Sequence, residues 1–267
     1  MPGYAGTMVA VSPSERSQAS LRRHWGGNGI AAAADLQAGD QAPARAKPAG
    51  VRPPCGPELL RRVGWIKSLP EANFISLTVP EERCRNAENF LCHAGMRSGV
   101  LRIAIGAGAS YGSAKCWPPT RFAELANRLQ SQTDADVVLF GPAAESGVSN
   151  AIAAEMRRPP IDLTGKTAIA ELPALLSQCH LFIGNDSGAM HVAAAVGLPV
   201  VAVFGPTDPH GTAPVTPRCN IVQEKPYCSP CFLRRCPTDH RCMMKITPEM
   251  VEAAAKTWLL QIEVQRA

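Results

Sequence analysis

Two stretches of this chain carry residue types and spacings suited to holding an anion. The first runs Gly106-Ala107-Gly108-Ala109-Ser110-Tyr111-Gly112-Ser113-Ala114-Lys115-Cys116-Trp117-Pro118. Its glycines let the backbone approach a ligand closely, Ser110 and Ser113 offer hydroxyls, and Lys115 supplies one mobile positive charge. Lys115 is followed by Cys116 rather than Ser or Thr, so the loop is not a P-loop. The second stretch is Phe182-Ile183-Gly184-Asn185-Asp186-Ser187-Gly188-Ala189-Met190-His191. It reads as a buried strand, a tight acidic turn and a helix, with Asp186 at the expected N-cap and Ser187 and Gly188 in the first turn. Free backbone N–H groups at such a terminus attract an anion, and His191 can donate to one of its oxygens. Taken singly, each feature also has a plainer reading: a solvated lysine, an ordinary Asp cap, a packed histidine.

Two further loops contribute candidates. Glu145 follows a strand end closely enough to accept hydrogen bonds from a ribose diol, although an acid opening a helix is equally ordinary there. Thr207 lies in Gly205-Pro206-Thr207-Asp208-Pro209-His210, a polar loop stiffened by two prolines, which either borders a ligand or is only a turn.

The elements that must position these loops follow from the apolar pattern. Short continuous apolar runs at 101–105, 137–140, 161–163, 181–183 and 200–203 read as strands. Helical spacing separates them: from Pro119 through Phe122, Leu125, Ala126 and Leu129, then over 146–157, 171–179 and 187–196, and last over 248–263 behind Thr247 and Pro248. Strands buried on both faces and alternating with helices imply a doubly wound, Rossmann-like α/β parallel sheet. In such a sheet a ligand lies beyond the carboxyl ends of the strands, where the loops after Ile105, Phe140, Ile183 and Val203 converge. Those four loops hold nearly all the candidates.

Composition limits the partners. Residues 1–70 hold nine Lys/Arg against four Asp/Glu, so their excess of five equals the formal net charge of the whole 267-residue chain. The remaining body is neutral, which argues against nucleic acid as partner, because that needs a clustered basic face. Residues 1–72 are low in complexity, rich in Ala, Pro, Gly and Arg, and are expected to be disordered; order is expected over 73–267. No apolar run spans a bilayer, since the longest is broken by His191 and Pro199. The default is a cytoplasmic protein with reduced cysteines. Near the C-terminus, Cys228, Cys231, Cys236 and Cys242 follow a C-x2-C-x4-C-x5-C pattern. That is compatible with a structural zinc, though a reduced loop over 228–242 bordering the ligand, or an occasional disulfide, is placed ahead of it. Arg234, Arg235 and Arg241 in this loop can meet acidic lipid groups or merely balance nearby acids.

Read together, the motifs resemble one family. The glycine-rich loop with its Lys115-Cys116-Trp117-Pro118 ending, Asn185-Asp186-Ser187-Gly188-Ala189-Met190-His191, and Phe204-Gly205-Pro206-Thr207-Asp208-Pro209 are similar, in order and spacing, to motifs of glycosyltransferase family 9. These are the bacterial ADP-heptose:lipopolysaccharide heptosyltransferases, and the cysteine-rich stretch resembles the heptosyltransferase II branch. The resemblance covers roughly residues 74–262. It implies a GT-B fold of which this is the C-terminal, donor-binding half, acting in inverting transfer of heptose from ADP-heptose to the lipopolysaccharide inner core without a required cofactor.

By the same resemblance Lys115 neutralises the donor diphosphate, Asp186 holds the turn or the sugar, and Ser187, Gly188 and His191 bind phosphate. Ser110, Glu145 and Thr207 complete the expected donor site. The family's general base is an Asp of its N-terminal, acceptor-binding domain. Residues 1–70 show neither that domain's opening strand nor its glycine turn, so no catalytic base is assigned, and the acceptor domain is expected to be missing or truncated, or supplied by an assembly partner. Three readings stay open: a glycosyltransferase in peripheral contact with the inner membrane, a nucleotide-sugar-binding module without turnover, or a cysteine-rich zinc protein whose basic arm contacts nucleic acid or a partner.

Overall fold

The computed structural model describes residues 75–266, so the expectations for residues 1–72 lie outside the described residues. In chain order the elements are α1 (Glu81–His93), β1 (Arg102–Gly106), α2 (Pro119–Thr133), β2 (Asp136–Leu139), α3 (Ser146–Glu155), β3 (Ile161–Asp162), α4 (Leu172–Leu176), β4 (Leu181–Asn185), α5 (Gly188–Ala195), β5 (Val200–Phe204), α6 (Pro209–Thr212), β6 (Cys219–Gln223), α7 (Arg241–Met244) and α8 (Pro248–Arg266). The six strands form one sheet in the order β3-β2-β1-β4-β5-β6, with every neighbouring pair parallel. The order reverses between β1 and β4, which places the crevice of the sheet at their carboxyl ends.

The central strands are apolar through their middles because they are buried on both faces, with the polar residues Arg102, Asp136 and Asn185 confined to strand ends. Ile103, Ile105, Val137, Leu139, Leu181, Ile183, Val201 and Val203 pack into one core with Phe122, Leu125 and Leu129 of α2, Ile152 of α3, and Val251, Leu259 and Ile262 of α8. The alternate positions, Ala104, Val138, Phe182, Val200, Ala202 and Phe204, enter a second core with Leu91 of α1, Leu175 and Leu176 of α4 and Met190 of α5. The two-residue period of a strand therefore divides the apolar residues between two helical layers.

The helices form where the sequence signals them. Pro119 opens α2 at its first turn, where a missing N–H costs nothing, and the helix stops at Asp134, whose backbone takes the left-handed conformation at φ 53°. In α8, Val251, Ala255, Leu259 and Ile262 are buried, while Arg128 of α2 reaches Glu249 and Glu252 and fixes how α8 lies on α2. Two expected elements come out shorter: β3 has two residues and α4 five. Elements absent from the sequence reading are α1, whose buried stripe is only Ala87 and Leu91, the edge strand β6, whose burial is partial, and the four-residue helices α6 and α7. Among the described residues no helix is long and apolar enough to cross a membrane.

Candidate functional site

The ends of β1 and β4 lie side by side, with Gly106 registered against Gly184. A Cβ on Gly184 would stand 2.6 Å from the Gly106 carbonyl oxygen, so this close approach of two strand ends requires glycine. The next residue, Asn185, is fully buried and holds both ends of the glycine-rich loop. Its Nδ2 donates to the Ala107 carbonyl at 2.5 Å, and its Oδ1 accepts from the Trp117 N–H at 3.0 Å. Trp117 is itself buried, stacked edge-on against Phe122, with Nε1 donating to the Ile246 carbonyl at 3.0 Å. The loop is thus pinned at its two roots while its middle, around Ser110 and Tyr111, stays exposed.

Between those roots Lys115 turns inward. Its Nζ donates to Asp186 Oδ2 at 2.6 Å, with side-chain exposures of 10% and 5%. The same carboxylate oxygen accepts from Thr207 Oγ1 at 2.7 Å and from Thr212 Oγ1 at 3.3 Å. Three loops, after β1, β4 and β5, therefore meet at one carboxylate. A buried ion pair is tolerable only with its remaining hydrogen-bonding capacity met, and the two threonines meet it. This corrects the expectation that Asp186 caps α5: the N-cap is Ser187, at φ −147° and ψ 168°, and the Asp186 side chain is committed to Lys115 instead.

The N-terminus of α5 has no side-chain cap, so its first N–H groups are open to an anion. Gly188, exposed at the first position, has nothing within 4 Å of where a Cβ would stand. His191 lies on the exposed side of α5. Desolvation by the surrounding atoms holds its imidazole below the ordinary value of 6.5; Asp186 opposes that shift and Lys115 adds to it. The ring is accordingly neutral at pH 7, with room to gain a proton when negative charge arrives.

Glu145 closes the other end of the site. Its carboxyl lies against the first loop, so that a Cβ on Gly108 would stand 1.8 Å from it. Around it Ile105, Ala107, Leu139, Val148 and Thr164 line a small hollow. Partial burial raises its pKa above the ordinary carboxyl value of 4.5. Of the residues singled out from sequence, Lys115, Asp186 and Thr207 are in direct contact, and Ser187, Gly188 and His191 flank them on α5. Glu145 sits apart against Gly108, and Ser110 is exposed without a hydrogen bond among the described residues. Asn185 and Thr212 carry no assigned role in the sequence reading. A buried Asn beside a charged turn was a usable signal; Thr212 lies 26 residues beyond Asp186 and only the fold brings it there.

The cysteine-rich segment between β6 and α7 has no regular secondary structure and crosses the mouth of the site. Cys228, Cys231, Cys236 and Cys242 are all free thiols. Burial pushes Cys242 up to about 11, with the neighbouring Cys231, Cys236 and Cys228 adding to the effect. Among the described residues no group of three or more His, Cys, Asp or Glu is placed to hold a metal ion, so the structural-zinc expectation gains no support.

A parallel sheet with this strand order, and polar loops gathered where the order reverses, defines a doubly wound, Rossmann-like α/β protein. The chain belongs to glycosyltransferase family 9 (heptosyltransferase), whose family model matches residues 80–241. Lipooligosaccharide heptosyltransferase 2 of Campylobacter jejuni subsp. jejuni serotype O:2 is 36% identical over 170 residues, which is 61% of this chain and 53% of that protein. The solved structure of the Escherichia coli ADP-heptose lps heptosyltransferase II matches with a TM-score of 0.60 at 31% identity, over 70% of this chain and 54% of that one. A family 9 glycosyl transferase from Veillonella parvula matches with a TM-score of 0.64 at 26% identity, over 76% of this chain and 58% of that one. The chain spans about half the length of the curated relatives it matches.

Proposed function

We propose that the described domain binds the nucleotide-sugar donor of a heptosyl transfer, with ADP-heptose as donor and the lipopolysaccharide inner core as acceptor. The observation that carries this reading is the meeting of Lys115 with Asp186 and Thr207 directly beside the uncapped N-terminus of α5. A diphosphate entering there meets helix N–H groups at Ser187 and Gly188, a lysine able to swing from Asp186 toward it, and His191 as a further donor. Glu145, in the adjoining hollow, takes the ribose hydroxyls. Thr207 and Thr212 keep Asp186 satisfied once Lys115 has moved, and Ser110 on the exposed loop closes over the phosphates.

The chemistry follows from charge. When the glycosidic bond to the diphosphate breaks, negative charge grows on the departing nucleotide, and donors already in place lower the barrier by stabilising it. Asp186 accepts from Lys115 and two threonines in the free chain, and the threonines still hold it once Lys115 has moved, so it is not poised to deprotonate an acceptor hydroxyl. That observation favours a second reading, a donor-binding module without turnover of its own. Work on the cytoplasmic side, with peripheral contact to the inner membrane, belongs to the first reading.

The full chain titrated with ADP and with ADP-heptose in a calorimeter tests both, followed by an assay of heptose transfer to a heptose-accepting core. Binding with transfer supports the enzyme, binding alone the module, and absence of binding refutes both.

A further inference from the structure

The segment between β6 and α7 is tied to both walls of the site. The Ala114 N–H donates to the Arg234 carbonyl at 3.0 Å, Tyr111 Oη donates to the Phe232 carbonyl at 2.8 Å, and His240 Nε2 lies 2.7 Å from the Ala114 carbonyl oxygen. On the other wall the Phe232 N–H donates to the Pro206 carbonyl at 2.8 Å and Ser229 Oγ to the Gly205 carbonyl at 2.7 Å. Gly112, at φ 154°, makes the first approach feasible, since a Cβ there would stand 2.3 Å from the Arg234 carbonyl oxygen. Arg234 is therefore placed by backbone bonds against the loop that carries Lys115.

Its side chain turns toward the same place. The Arg234 guanidinium carbon lies 5.3 Å from the centre of the Tyr111 ring, and Lys115 Nζ lies 4.9 Å from the centre of that same ring. One aromatic ring thus holds two cations at the mouth of the site. They differ in one respect: Lys115 is paired with Asp186, whereas Arg234 has no carboxylate partner among the described residues. The Lys115–Asp186 pair is neutral as a unit, so it brings no net charge to meet a diphosphate. An arginine fork presents several donors in the plane that two phosphate oxygens require.

We infer that Arg234, positioned over Tyr111, is a second cation for the donor diphosphate and supplies the positive charge that the Lys115–Asp186 pair lacks. The inference rests on the donor-site reading above. Because the departing nucleoside diphosphate bears more negative charge than the same group esterified to a sugar, Arg234 favours the product-like charge distribution over the ground state.

Calorimetry of the full chain with ADP and with adenosine tests this. Arg234→Gln is expected to weaken ADP about tenfold while leaving adenosine affinity unchanged, and Arg234→Lys to recover part of the loss. Tyr111→Leu, which keeps both cations but removes the ring between them, is expected to give a smaller loss for ADP alone. The Arg234 side chain is exposed, so equal melting temperatures are expected for the wild type and the two Arg234 variants. If the wild-type chain binds ADP and Arg234→Gln binds it equally well, the role of Arg234 is overturned while the donor site stands. If the wild-type chain does not bind ADP, the donor-site reading falls and this inference with it. Equal weakening of ADP and adenosine would also overturn it, since that pattern marks a general disturbance of the loop.

Discussion

Lys115 and Asp186 depend on one another for their burial. Replacing Lys115 by Met leaves a carboxylate at 5% exposure with only two threonine hydroxyls to hold it. Removing one partner of a buried pair costs about 3–5 kcal/mol. For a domain of this size that lowers the melting temperature by roughly 10 °C. The double variant Lys115→Met with Asp186→Asn, which removes both charges, is expected to regain most of that stability and none of the ADP affinity. Thermal melts and calorimetry on the three proteins check it, and a single variant as stable as wild type would show that the pair is not structural. Glu145 presents the opposite case. Its folded pKa is raised by desolvation, so its contribution to stability is full at acid pH and is lost as pH rises through the folded value. Glu145→Gln is therefore expected to raise the melting temperature at pH 7.5 by up to about 2 °C, to leave it unchanged near pH 4, and to weaken adenosine and ADP alike. For His191 desolvation favours the neutral ring. Its imidazole is held below 6.5 in the free protein, and a neighbouring phosphate favours the protonated ring. ADP affinity is expected to rise as pH falls from 8 toward 6, with proton uptake on binding, and His191→Gln to flatten that slope; an unchanged slope would remove His191 from the site.

At the scale of elements, much of the architecture is legible because burial on both faces confines polar residues to the ends of the central strands. The runs around Ile103, Val138, Ile183 and Val201 could be nothing else once helical spacing separated them. β6 escapes such a reading, since Asn220 and Gln223 interrupt an edge strand that is only partly covered. So does α1, where two buried residues in thirteen leave almost no stripe. The site was legible in part for a related reason: residues near in sequence, Asp186 through His191, share one turn and helix start. The partners of Asp186, by contrast, arrive from loops after other strands, and no spacing rule predicts Thr212 beneath the same oxygen. Asp186 before Ser187 and Gly188 also satisfies the usual capping pattern, and the charge of Lys115 overrides it. The glycines report how tightly these elements meet. Gly184→Ala would press a methyl into the Gly106 backbone and is expected to cost about 1–3 kcal/mol, whereas Gly108→Ala first meets the movable Glu145 carboxyl and should weaken nucleoside binding with little change in stability. Urea melts and adenosine titrations separate the two, and comparable stability losses would contradict the distinction.

Across the whole domain, the site lies where strand order reverses, so its walls belong to two halves of one sheet. Lys115 follows β1, Asp186 and α5 follow β4, Thr207 follows β5, and the cysteine-rich segment joins the first wall to the last. A ligand that touches all of them binds only when the halves are assembled, and its binding free energy adds to the stability of the fold. At a hundredfold excess over its Kd, ADP is expected to add about 2.7 kcal/mol, which corresponds to a rise in melting temperature of roughly 5–10 °C. At concentrations set the same way against its own weaker Kd, adenosine should produce a similar rise. The two ligands are told apart by where the protection falls. If the diphosphate bridges Lys115 and the α5 amides as proposed, ADP should slow amide hydrogen exchange both in the loop after β1 and at the start of α5. Adenosine, held at the Glu145 hollow, should protect residues around Gly108 and leave Ser187 to Ala189 unchanged. Protection confined to one wall by both ligands would mean that the anion does not sit between β1 and β4, and the arrangement of Lys115 against Asp186 would then serve the fold alone.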